Sequence, residues 1–145
     1  MSKEGVDHVR GIFEEFNRRG LEAGFEGYHP DFVYHPREDE PDVSVHTGRD
    51  SFEGLIRGWY EAFPEITFDV KELTDAGEDL VVCSTVLHAR GGASGVEVND
   101  SYVFVYQMRE GLPIEGWEYR TTDEALEAIR AHAPGPTTQT SAMSP

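Results

Sequence analysis

Residues 33–41 read VYHPREDEP, and His35 in that run is the side chain best suited to proton transfer near neutral pH. A neutral imidazole can take a proton from a carbon beside a carbonyl, or from water. Its place at the end of a short apolar alternation, just before Pro36, allows two roles. It can be a base at the mouth of a pocket, or a strand-end residue whose ring bonds a backbone carbonyl and closes the loop. Asp100 is the second candidate. It interrupts the run VEVNDSYVFVYQ, where an apolar pocket would raise its pKa and let it donate to a developing oxyanion or hold His35. The alternative for Asp100 is a strand-entry residue facing water. Ser101 shares the ambiguity, because a one-residue shift of register exchanges the two faces of a strand.

Around these groups lie Tyr34, Trp59, Phe63, Tyr102, Phe104, Tyr106, Trp117 and Tyr119. Aromatics at these spacings are core by default, yet a cone lined with them also suits a flat hydrophobic ligand. His88, at the end of STVLHARG, breaks an apolar alternation and is a candidate for the pocket mouth or for the surface. The carboxylates Glu38, Asp39, Glu40 and Asp42 are packed around Pro41 as in a solvated loop, and His29, His35 and His46 lack a compact ligand spacing, so no metal is expected. Cys83, the single cysteine, sits in LVVCSTV, where a thiol acts as a small hydrophobe.

Periodicity supplies the elements that must position these residues. EGVDHVRGIFEEFNRRG carries Val6, Val9, Ile12, Phe13 and Phe16 on one helical stripe and ends at Gly20. LEAGFEGYH predicts a short second helix weakened by two glycines, and DFVYHP a short strand ended by proline. REDEPDVSVHTG is a polar loop that turns extended at VSVH. Asp50–Phe63 predicts a long helix, with Asp50 and Glu53 in a capping-box pattern and Pro64 as its stop. From 66 to 120 four β-branched and aromatic runs alternate with the turns DAGED, RGGASG and REG. TTDEALEAIRAHA predicts a short helix capped by Thr121 or Thr122. The plan is α+β: a curved, mostly antiparallel sheet wrapped around N-terminal helices, giving a cone with an internal pocket unless large side chains fill it. Residues 1–131 form one domain in this reading, and the Pro/Ser/Thr-rich residues 132–145 a disordered tail.

Composition narrows the partners. The chain has 145 residues, enough for one core, with 28 Asp+Glu against 12 Lys+Arg and a net charge of −16. Nucleic acid and anionic membranes require a surplus of cations and are excluded as partners. No apolar run is long enough to span a bilayer, and MSKEGVDHVR has no apolar signal region, which implies a soluble cytoplasmic protein.

FEEFNRRGLEA, YHPDFVYHP, TGRDSFEGLIRGWYEAF, LTDAGEDLVVCSTVLHARGGASGVEV, YVFVYQMREG and WEYRTTDEALEA occur in an order and spacing that resembles the SnoaL-like branch of the nuclear transport factor 2-like superfamily, over residues 5–131. The resemblance implies a cystatin-like cone and a small hydrophobic molecule as partner. It also implies pairing of sheet faces in a homodimer. The fold hosts isomerases, cyclases, hydrolases and binding modules alike, so function stays open. In the ketosteroid isomerases of that superfamily the general base stands just before a proline at the end of the first strand, a position matched by His35. Their oxyanion donors match only Phe13 and the neighbourhood of Asp100 and Ser101, which argues against a steroid isomerase. What the resemblance favours is acid–base chemistry without metal or organic cofactor, an isomerisation, aldol-type cyclisation or hydrolysis, on a carbonyl- or epoxide-bearing compound. A non-catalytic ligand-binding or stress-associated protein is the alternative.

Overall fold

The computed structural model describes residues 2–39, 44–93 and 95–131. Helix α1 (Ser2–Arg19) buries Val9, Ile12 and Phe13 and stops where Gly20 adopts φ 59°. The expected second helix is only a single 3-10 turn, Gly20–Ala23. Its first residue, Gly20, and Gly24 just after it both take positive φ, which confines the helical hydrogen bonding to that turn. Strands β1 (Val33–His35) and β2 (His46–Thr47) are short, and helix α2 (Arg49–Ala62) follows. The capping box expected at Asp50 does not form. Gly48 occupies the N-cap position without a side-chain cap, and Glu53 instead accepts from Arg57 at 2.6 Å.

Four long strands then run β3 (Glu65–Gly77), β4 (Leu80–Arg90), β5 (Glu97–Arg109) and β6 (Leu112–Tyr119), and α3 (Thr122–Ala131) closes the described chain. Thr121 rather than Thr122 caps α3, its hydroxyl accepting from the Glu124 N–H at 3.1 Å. The sheet order is β2-β1-β6-β5-β4-β3, antiparallel throughout except that β1 runs parallel to β6. The Glu78–Asp79 and Glu110–Gly111 hairpin turns use positive φ at both central residues, which matches the twist of the strands they join. Among the described residues no helix is long and apolar enough to cross a membrane.

The period of two along each strand divides the core. Phe104, Tyr106, Met108, Val81 and Cys83 face α1 and α2, whereas Val103, Val105, Leu80 and Val82 face the other way. That outer face was expected to need a second copy as cover. Helix α3 of the same chain supplies part of it, burying Ala125 completely against Leu80, Val82, Val103 and Val105. Residues 132–145, read from sequence as a disordered tail, and Glu40, Pro41 and Asp42 of the acidic loop lie outside the described residues.

One glycine holds the inner face together. Gly116 on β6 stands opposite Tyr106 and beside Tyr34, and a Cβ there would lie 2.9 Å from the Phe32 ring and 3.1 Å from that of Tyr106. Both rings are buried against other aromatics, Tyr28 beside Phe32 and Phe104 beside Tyr106. Gly116→Ala is expected to cost about 1–3 kcal/mol, read as a lower urea midpoint with an unchanged slope; an unchanged midpoint would show that the rings yield freely.

Candidate functional site

The inner face and the two helices enclose an aromatic cavity walled by Phe13, Tyr34, Phe52, Trp59, Phe104 and Tyr106, among others. Its free volume is about 40 Å³, room for roughly one water molecule. The hollow expected from the sequence is therefore largely filled by rings: Tyr28 meets Phe52 edge-on at 5.0 Å, and Phe104 stacks on Tyr106 at 6.0 Å. Burial raises the pKa of the Tyr28 and Tyr106 phenols, so both remain neutral donors at any ordinary pH.

Beyond the Tyr34 ring the apolar lining gives way to Glu118 and Arg37, which border an adjoining cleft rather than the cavity itself. Tyr34 turns inward from β1, and its hydroxyl donates to Glu118 Oε2. Glu118 turns inward from β6, in register with Phe104 of β5, and is 4% exposed. Its other oxygen accepts from the Arg37 backbone N–H at 3.2 Å. Burial pushes the Glu118 carboxyl up to about 8, against the opposing pull of that N–H. Near neutral pH the group is therefore mostly a carboxylic acid, able to donate a proton and then to accept one.

Arg37 covers this end. Its guanidinium lies 4.1 Å from the centre of the Tyr102 ring, donates to Asp39 Oδ1 at 3.0 Å and to the Ser101 carbonyl at 2.8 Å, and pairs with Asp100 Oδ2 at 3.1 Å. Burial opposes the charge, but Tyr102, Asp100 and Asp39 outweigh it and hold the pKa above its ordinary value. Asp100 thus lies on the inner side as one reading allowed, engaged with Arg37 rather than with His35. Its neighbour Ser101 faces away, its hydroxyl donating to the Arg120 carbonyl at 2.8 Å.

His35 does not border the cavity, contrary to the expectation that it stands at its mouth. The cause is strand alternation: with Tyr34 turned inward, the next side chain must turn outward. The imidazole stacks on Trp117 at 5.3 Å, nearly parallel, and its Nε2 lies 2.7 Å from Glu115 Oε2. Trp117 and Tyr119 share that outer side, so neither lines the inner cavity either. His88 is a surface residue bonded to Asn99 at 2.5 Å. Trp59, Phe104 and Tyr34 line the cavity; Tyr102 stands at its polar end beside Trp59; and Phe63 packs in a neighbouring cluster with Ile66 and Leu87. Glu118 and Arg37 were missed as site residues. The signal for Glu118 was present in GWEYR, where a carboxylate alternates with aromatics in a strand and so must share the face of Gly116.

Comparison with known proteins places this architecture. A family model described as a SnoaL-like domain matches residues 9–115. The chain belongs to the SnoaL-like family. Solved structures similar to this SnoaL-like chain include a nuclear transport factor 2-like protein of Burkholderia pseudomallei (TM-score 0.68, 20% identity, 87% of this chain and 97% of that one). IdmH of Streptomyces antibioticus, provisionally a polyketide cyclase, gives TM-score 0.65 at 22% identity over 88% of this chain and 98% of its own. RV0760c of Mycobacterium tuberculosis, solved with estradiol-17beta-hemisuccinate, gives 0.70 at 18% identity over 83% and 95%. At such identities the likeness concerns the fold. No curated protein matches the sequence.

The raised pKa of Glu118 has a sign that stability measurements can read. Below the ordinary carboxyl pKa both folded and unfolded chains carry the proton, and the group is neutral in the balance. Between that value and about 8 only the unfolded chain ionises, so each pH unit removes about 1.4 kcal/mol from the folded state. Glu118→Gln keeps the shape without the ionisation. Its melting temperature relative to the parent should rise steadily from pH 4.5 to pH 8; a difference independent of pH would mean that Glu118 is ionised in the folded protein.

Proposed function

We propose that this SnoaL-like protein acts on a small hydrophobic carbonyl- or epoxide-bearing molecule by acid–base chemistry at the Tyr34–Glu118 end of the inner cavity. The observation that carries this is a carboxyl buried in the protein, its pKa raised by that burial, and hydrogen-bonded to a phenol that itself lines the cavity. Such a pair can donate to a carbonyl oxygen while charge develops on it, and the carboxylate so formed can take the proton from the α-carbon, leaving an enol and Glu118 protonated again. Isomerisation through an enol, or aldol-type ring closure, requires these transfers and a dry, oriented site.

Entry requires widening, since about 40 Å³ is far below the roughly 300 Å³ or more of ligand pockets. Arg37 is the cap that must move, and its partners Asp39 and Asp100 are near half exposed, so water can take up their charges when it does. His35 and its partners lie on the other side of the sheet and are not assigned to this chemistry. The fullness of the cavity favours a second reading, in which the same end of the cone binds a ligand and breaks no bond.

Exchange of the α-protons of 2-tetralone into D2O, followed by NMR, separates the two. The parent protein should accelerate exchange, Glu118→Gln should lose at least a hundredfold and Tyr34→Phe about tenfold, and His35→Ala should stay within twofold. The rate should fall as Glu118 ionises above pH 8. Binding seen as a change in Trp59 emission, without accelerated exchange, would select the non-catalytic reading. Full exchange by Glu118→Gln would remove the assignment of the acid.

A further inference from the structure

A space larger than the inner cavity lies on the opposite side of the sheet. Between β5, β6 and α3 lies a pocket of about 420 Å³, within the roughly 300–1,000 Å³ range of small-molecule sites. Its walls are Val105, Trp117 and Tyr119 from the sheet and Ile129 from α3, and its polar edge is Glu115 and Gln107. Trp117 anchors the site geometrically, because the His35 ring backs it from β1 in a nearly parallel stack.

At the polar edge of this pocket Glu115 and Gln107 present acceptors, beside the Trp117 N–H and the Tyr119 hydroxyl. Glu115 has one oxygen held 2.7 Å from His35 Nε2, which aims the carboxylate and leaves its second oxygen for a ligand. The Gln107 amide nitrogen is already committed to the carbonyls of Glu78 and Asp79 at 3.0 and 3.3 Å, so its carbonyl oxygen is what remains to offer. None of the described residues lining the pocket is a lysine or arginine. The chain as a whole carries −16, which draws cations toward such a concavity. Aromatic faces beside a carboxylate are the surroundings in which a flat cation gains both ring stacking and a charge-assisted hydrogen bond.

We propose that this outer pocket is a second small-molecule site, separate from the inner cavity, and that it takes a planar organic cation of one ring, an aryl amidinium or arylammonium. The cation lies on Trp117 and Tyr119 and donates to Glu115, while His35 holds the carboxylate in place. The proposal is independent of any reaction at Glu118.

The test uses the full chain and 4-aminobenzamidine, with 4-aminobenzamide as an uncharged molecule of nearly the same shape. By titration calorimetry the amidine should bind at submillimolar concentration and the amide at least tenfold more weakly. Glu115→Gln and Trp117→Leu should each lose at least tenfold. In NMR spectra the indole N–H of Trp117 should shift on binding while that of Trp59 stays in place. Equal affinity for the amide, undiminished binding by Glu115→Gln, or a shift at Trp59 instead of Trp117 would each overturn the proposal. So would failure of the full chain to bind at 5 mM (an experimental ceiling of about ten times the expected constant).

Discussion

The narrow end of this fold depends on one buried carboxyl. Strand β1 has three residues and β2 has two, too few for ladder hydrogen bonds alone to hold them. Glu118 supplies the missing tie, taking the Tyr34 hydroxyl on one oxygen and the Arg37 N–H on the other. Both contacts run from β6 to β1 or to the chain just beyond it, so the parallel pairing and the loop that follows are fixed by a side chain. An ionised carboxylate in that position would be expensive to bury. The burial that makes Glu118 a chemical candidate is therefore the same burial that ties β6 to β1.

The sheet is consequently a partition with different contents on its two sides. Inside are fused aromatic contacts, neutral phenols and the Glu118 acid under an arginine cap. Outside are the His35–Glu115 pair, Trp117, Tyr119 and the apolar underside of α3. The distinction is made at Tyr34 and His35, adjacent residues on opposite faces. Each has an acidic partner on β6, Glu118 and Glu115 respectively, so the parallel pairing of β1 with β6 yields two acid–partner pairs from one short stretch of chain.

The four long strands, the two long helices and a threonine cap on α3, left between Thr121 and Thr122, were legible because each has a strong local cause: alternating β-branched residues, an apolar stripe at helical spacing, a hydroxyl placed before an acidic turn. The side on which His35 falls was not, since the three residues of β1 alternate too briefly to reveal which is inward. That required knowing that Tyr34 meets Gly116 across the parallel pair. The partners of Asp100 were equally out of reach, because Arg37 is 63 residues away and no local rule brings them together. How full the cavity is also escaped the sequence, which identifies rings as core but not how closely they close on one another. Asp50 and Glu53 matched a capping pattern that failed because Gly48 already enters the helix with φ 96°.

Cys83 gives the fold an unintended practical property. It is wholly buried on the inner face among the residues that meet α1, and burial pushes its thiol up to about 12. A cysteine reacts readily with alkylating agents and oxidants only as its thiolate, so Cys83 in the native protein resists both without any reductant in the buffer. The rate at which iodoacetamide consumes this solitary thiol then measures how often the first helix lifts away from the sheet, a built-in clock for breathing motions that needs no added label.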